Sequence, residues 1–229
     1  MSTRAMVLLW DVYVVNKKTS KGVQFPTGKE ADTKLVAAAK PSAYLYHHSD
    51  GYPEGGAGGM KARFREFVKA VKKDCTANEW YGGLRFDDGC YLAAKWITFD
   101  ALENAAMYEY FDKSRAYDKA HEGKVDKRGR KFRYRGKMPK FPTNPLRFLG
   151  VGISPCEHVD IEYRYNVYCA GEKNFKVTCE AVHCKDWDKS PIEFEVSKVI
   201  DIIGKNVEIE GAIVPKPTAK KKTVVLKSH

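Results

Sequence analysis

Val159-Asp160-Ile161-Glu162-Tyr163-Arg164-Tyr165-Asn166-Val167-Tyr168-Cys169 decides the fold class. Apolar side chains stand at 159, 161, 163, 165 and 167, and polar ones at 160, 162, 164 and 166. Successive side chains of a strand point to opposite faces, so a period of two marks a strand with unlike faces. The spacing predicts a half-buried antiparallel strand over 159–169, with its Asp, Glu, Arg and Asn side in water. On its C-terminal side 175–183 and 192–196 continue a meander, 199–203 suits a short helix or a strand, and 207–214 reads as a last strand. On its N-terminal side 146–153 is a strand that follows Pro142 and Pro145.

The N-terminal half has strands at 5–15, rich in Val, Leu, Trp and Tyr, and at 43–48, which stops at Asp50-Gly51. Residues 17–34 are polar and read as a loop or loose hairpin. From Met60 the period changes. Met60, Phe64, Phe67, Val68 and Val71 share one face of a helix, with Lys and Arg on the other. A turn region at 80–88 leads to a second helix over 90–107, which turns Leu92, Trp96, Phe99 and Leu102 toward a core. Residues 108–141 drift into a charged insert. These elements predict an α+β fold: a mostly antiparallel sheet with two helices packed on one face. The expected layout is one α+β domain over 1–214, including a basic insert at 112–141, and an extended lysine-rich tail at 215–229.

The chain has 229 residues, 43% of them hydrophobic, enough to fill a core and to exclude wholesale disorder. No apolar run approaches the ~20 residues that cross a bilayer. The longest, 5–15, is broken by Asp11. Met1-Ser2-Thr3-Arg4 leads into a strand without a small-residue cleavage site, so neither a membrane nor an exported protein is expected. The six cysteines (75, 90, 156, 169, 179 and 184) form no Cys-x-x-Cys pair and fit reduced thiols of a cytosol.

The net charge of +11 is unevenly spread. Residues 124–140 hold nine basic side chains against Asp126 alone: Lys124, Lys127, Arg128, Arg130, Lys131, Arg133, Arg135, Lys137 and Lys140. The tail over 216–227 adds five lysines and no acid, among them Lys216, Lys220, Lys221 and Lys222. The remaining chain has 26 basic and 28 acidic residues, a body at −2. Basicity gathered in two segments points to a polyanionic partner met at defined places. In Lys131-Phe132-Arg133-Tyr134-Arg135, guanidinium groups suit phosphates and the rings of Phe132 and Tyr134 suit unpaired bases. RNA is favoured over duplex DNA, because no helix-turn-helix or zinc-finger pattern is present to enter a major groove. An acidic protein surface and a plain solvated loop are the alternatives for the insert, and a disordered solubility tail is the alternative for 215–229.

A second constellation lies at the strand end and glycine-rich loop over 44–56. His48, Asp50 and Glu54 are candidate acid/base groups there, and free backbone N–H groups at the start of the Met60 helix would suit an anion. The GxxxxGK[ST] order of a phosphate loop is absent. His47 and His48 point to opposite faces, so at most one serves any site. A turn with core tyrosines is the plainer account. Cys179, His183 and Cys184 offer soft metal ligands, with Cys184 facing away from the other two and no fourth ligand in view. Neither a metal nor another cofactor is expected.

The opening Met1-Ser2-Thr3-Arg4, together with Tyr46-His47-His48-Ser49-Asp50-Gly51-Tyr52-Pro53-Glu54-Gly55, resembles a family of uncharacterised phage and prokaryotic proteins. These open with Met-Ser/Gly-Thr-Arg and carry Tyr-x-His/Gln-aromatic-Asp-Gly-Tyr-Pro. Asp88-Gly89-Cys90-Tyr91-Leu92-Ala93-Ala94 resembles the family's Gly-Cys-Leu-Ala-Ala helix start, and Asp160-Ile161-Glu162-Tyr163-Arg164-Tyr165 its acidic-Tyr-x-Tyr strand. Ser49 departs from the family's aromatic, and the basic segments are not family features. The resemblance implies a phage origin, a similar fold and a place in the cytoplasm of an infected bacterial host, and implies no activity. The functional expectation is a nucleic-acid-binding protein that docks on RNA or a host ribonucleoprotein such as the ribosome during host takeover. The alternatives are a counter-defence enzyme, a hydrolase or nucleotide-modifying protein using His48, Asp50 and Glu54, and a protein–protein inhibitor of a host defence factor. The sequence leaves the oligomeric state open.

Overall fold

Residues 5–10 are six apolar residues in a row, long enough to need burial on both sides. In the computed structural model, which describes residues 3–18, 33–48, 51–54, 59–76, 86–144, 150–171, 173–186 and 192–211, they open the central strand β1 (Ala5–Asn16). The other strands are β2 (Thr33–Ala37), β3 (Ala43–His47), β4 (Val151–Ser154), β5 (Tyr163–Cys169), β6 (Lys176–Asp186) and β7 (Glu193–Ile203). They form one seven-stranded sheet in the order β4-β3-β1-β5-β6-β7, with β2 also paired to β1. Only β1 and β5 run parallel, from Ala5 opposite Tyr163 to Asp11 opposite Cys169. All other pairs are antiparallel. The fold is α+β, with a mostly antiparallel sheet.

β2 and β3 take consecutive stretches of the same edge of β1. The carbonyls of Leu9 and Asp11, which point the same way, accept from Ser42 and Ala38 N–H at 2.7 and 2.8 Å. Both helices, α1 (Met60–Thr76) and α2 (Gly89–Ala120), contribute to one core cluster. Met60, Phe64, Phe67 and Val71 of α1 and Leu92, Ala93 and Trp96 of α2 meet Ala5, Val7, Leu9, Leu45, Tyr165, Val167, Val177 and Cys179 of the sheet. Phe99 packs against this cluster, as its spacing predicts, while Leu102 is half-buried outside it. Arg63 of α1 leaves the expected solvated face to pair with buried Asp100 of α2, which also accepts from Asn104 Nδ2 at 2.7 Å.

The two helix starts explain the two loop motifs. Gly51 lies against β1, where a Cβ would come within 2.5 Å of Ala5 Cβ, so no larger residue fits. Its carbonyl accepts from the buried Tyr165 hydroxyl at 2.8 Å. The next two carbonyls, of Tyr52 and Pro53, accept from Met60 and Lys61 N–H, and the Gly59 carbonyl takes those of Ala62 and Arg63. The four N–H groups that a helix start leaves over are therefore all used. At α2, Asp88 is the N-cap and accepts from Tyr91 N–H at 2.8 Å. Asp11, the residue that interrupts the apolar run, accepts from Gly89 N–H and from the Ser42 hydroxyl.

The sheet corrects the reading of 159–169. Residues 155–162 are turns and bends, and β5 begins only at Tyr163. Ile161 packs with the cluster on the face away from the helices, opposite to Tyr165 and Val167. The expected wet face is dry: Arg164 and Asn166 are buried beside Met6, Leu8, Trp10 and Tyr168. β5 lies between β1 and β6, and its buried polar side chains need partners, which those two strands supply. Trp10 Nε1 donates to Asn166 Oδ1 at 3.1 Å, and Arg164 Nε donates to buried Glu180 Oε2 at 2.6 Å. Arg164 also pairs with Glu157 at 3.1 Å. One open choice is resolved and one further expectation changes. Residues 199–203 belong to strand β7, and 207–211 form no strand, only an isolated bridge between Val36 and Glu210. Residues 212–214 and the tail, with Lys216, Lys220, Lys221 and Lys222, lie outside the described residues. No described helix is long and apolar enough to cross a membrane.

Candidate nucleic-acid interface

The second helix does not stop at residue 107. α2 runs 32 residues, about 48 Å at 1.5 Å per residue, and its last buried residue is Ala106. The distal stretch to Ala120 therefore carries the first part of the basic insert, 112–120, as helix. Ala, Glu, Lys and Arg favour helix there, and Lys113 Nζ donates to Glu109 at 2.7 Å, one helical turn away. His121 caps the end, and the chain then turns back.

Residues 125–144 return along the distal half of α2. Val125 and Lys131 form a bridge around a tight turn organised by the one local acid. Asp126 accepts from the backbone N–H of Arg130 and Arg128 and from the Arg130 guanidinium. The Arg130 N–H, and after it that of Arg128, holds the Asp126 carboxyl below the usual carboxylate range. Gly129 supplies the left-handed residue that closes the turn, at φ 74°. Tyr134 then lies 5.5 Å from Tyr110 and 5.8 Å from Tyr117, ring centre to ring centre. His121 stacks on Tyr117 at 4.1 Å, and Phe132 sits 5.1 Å from His121. The return is fastened at its far end by Thr143 N–H on Glu109 Oε2 at 2.7 Å. Lys113, first, and this N–H hold the Glu109 carboxyl down at about 2.

The insert is thus an arm folded back on a helix, not a loose extended strand. Its fastening is aromatic and backbone-based, so the cations are not consumed by it. All nine basic residues over 124–140 are exposed. Arg130 is paired with Asp126 and Lys124 Nζ reaches the Ala120 carbonyl, while the other seven have no carboxylate partner among the described residues. Tyr134 is half-buried, and Phe132 keeps 39% of its surface exposed. Met138 and Phe141 are exposed as well, Phe141 by 83%. Tyr110, Tyr117 and His121, which hold the arm, are absent from the residues singled out above. Their i, i+7, i+11 spacing on one helical face was the available signal.

No family model, curated protein or solved structure matches this chain. What can be said of the other candidate residues comes from their surroundings. His48 stands beside Tyr46, on the face of β3 turned away from the helices. Glu54 is exposed and paired with Lys61 of α1 at 3.1 Å, on the helix side. Asp50 lies outside the described residues. His48 and Glu54 are not brought together, and the anion site expected at the start of α1 has its N–H groups already occupied. His47 is buried, and its Nε2 accepts from Trp96 Nε1 at 2.9 Å. Cys179 is buried under the helices while His183 is exposed, and no described cluster of His, Cys, Asp or Glu could hold a metal ion. The five described cysteines are free.

Proposed function

We propose that this chain binds nucleic acid through the arm over 121–144, RNA in preference to duplex DNA, and that a ribonucleoprotein such as the ribosome is its setting. The observation that carries the reading is the row of exposed cations on a folded support. Eight of nine lack a carboxylate partner among the described residues, over a body whose remaining sequence is near neutral. Support by α2 fixes the row in space, which lowers the ordering cost that a free loop would meet on binding. The exposed Met138 and Phe141 beside these cations suit a partner that presents apolar as well as phosphate surface, as a ribonucleoprotein does. For a phage protein, such docking would serve takeover of host expression.

Salt titration tests it. Each phosphate contact contributes about 0.7–0.9 to the slope of log K against log salt. Replacing Arg128, Arg133, Arg135 and Lys137 together by Gln is expected to lower RNA affinity at least about tenfold and to flatten that slope by about 3. Unchanged RNA retention at matched ionic strength overturns the proposal. So does capture of a partner that survives nuclease treatment undiminished, which would make the partner an acidic protein.

A further inference from the structure

The ladder of rings on the arm borders two adjoining clefts. The larger, of about 840 Å³, is lined by Tyr117, Phe132 and Tyr134 together with Arg130, Arg133 and Arg135. The smaller, of about 380 Å³, is lined by His121, Lys124 and Val125. Lys131, Phe132 and Arg133 belong to both. A grip on phosphates alone requires neither rings nor concavity, because duplex phosphates lie on an outer surface and the bases are stacked away. Here rings, guanidinium groups and two open concavities converge on Phe132. Both volumes fall in the ~300–1,000 Å³ range of sites that take small organic units.

We propose that these two clefts take unpaired nucleotides, with Phe132 as the stacking platform between them and Lys131 and Arg133 on the flanking phosphates. The ligand class is single-stranded or looped RNA, and the inference rests on the arm being a nucleic-acid interface. The distribution of acids fits this polarity. In the larger cleft the one carboxylate, Asp126, is already engaged by the Arg128 N–H and by Arg130, which leaves the guanidinium groups of Arg133 and Arg135 unpaired there among the described residues. The smaller cleft also carries Asp118 and Glu122, which suit the amino edges of bases better than phosphate. Phosphates therefore settle on the side of the larger cleft, with a base turned into the smaller.

The test compares a labelled oligocytidylate of about 12 nucleotides, whose bases carry an amino group, with a blunt RNA duplex carrying the same number of phosphates, by anisotropy at ~0.15 M salt. The single strand is expected to bind at least about tenfold more tightly. Phe132→Ala should lower single-strand affinity about tenfold and leave duplex affinity within about twofold, while Phe132→Tyr keeps the preference, since stacking needs only a ring. Phe132 keeps 39% of its surface exposed and its ring contact is with His121, so its truncation leaves the core and the contacts of Tyr134 with Tyr110 and Tyr117 in place. Equal affinity for the two RNAs, or equal effects of Phe132→Ala on both, overturns this inference while leaving the arm an RNA-binding surface. Binding to neither overturns both proposals.

Discussion

At His47 a histidine is held neutral inside the core. Trp96 Nε1 donates to its Nε2, so the ring proton stands on Nδ1. Burial, and secondarily the Arg63 charge, push its pKa down to about 3. An unfolded histidine titrates near ~6.5, so between these values the unfolded chain binds a proton that the native chain refuses. Stability from this site is therefore complete above about 6.5 and is lost as pH falls toward 3, at up to about 1.4 kcal/mol per pH unit. Buried Asp100 and Glu180 and half-buried Glu103 have raised pKa values, chiefly from desolvation, and act with the opposite sign. A variant difference isolates the histidine. Urea unfolding of wild type and His47→Gln, which can still accept from Trp96, should show wild type losing about 2 kcal/mol relative to the variant between pH 6.5 and 4.5. Parallel curves would mean that His47 is not shielded as described. The same residue shows why the Tyr-His-His-Ser-Asp-Gly-Tyr-Pro stretch suggests chemistry in sequence and supplies packing in space. Tyr165 meets the Gly51 carbonyl, and the Tyr52 and Pro53 carbonyls close the start of α1.

At the scale of elements, β1, β3 and α1 were legible because each carries one dominant pattern: a continuous apolar run, a short aromatic strand ending in a turn, and a 3.6-residue stripe. β5 was legible over its C-terminal seven residues, 163–169, but neither its start nor its surroundings were. Alternation fixes which residues share a face, yet not whether the second face is wet, and Trp10 and Glu180, which pair with its polar side chains, come from neighbouring strands set by tertiary pairing. The distal half of α2 was missed for a related reason. Its apolar stripe ends where the sheet ends, and helical charge pairs leave no hydrophobic period to detect. That half has no core beneath it and depends on the ring contacts of Tyr110 and Tyr117 with Tyr134. Tyr134→Ala should therefore release residues 109–120 and spare the sheet. Hydrogen exchange is expected to accelerate at least about tenfold across that stretch, while the amides of β1 and β5 keep their protection. Unchanged protection over 109–120 would show that the helix holds without its aromatic return.

At the scale of the whole molecule, charge is segregated by element. Residues 109–144 carry 12 basic and 5 acidic side chains, a net +7 on one helix half and its return. The sheet instead hides its charges in pairs such as Arg164 with Glu180. Cations packed this closely repel one another, and that cost is borne by the folded arm because folding sets their spacing. Salt must therefore act on the arm in two opposed directions. It shortens the screening length from about 10 Å at 0.1 M to about 3 Å at 1 M, which relieves self-repulsion in the free arm. It also removes the counterion-release drive that holds RNA. Raising salt from about 0.05 to 0.5 M is expected to slow hydrogen exchange in 109–120 by roughly two- to fivefold while weakening RNA binding by more than about a hundredfold. A generic stabilisation by salt would slow exchange in β1 and β5 equally, whereas relief of local repulsion confines the change to the arm. Faster exchange in 109–120 at high salt would mean that attraction to acidic groups, not the ring ladder, is what holds the arm down, and the exposed cationic row would then be an artefact of counting charges without their partners.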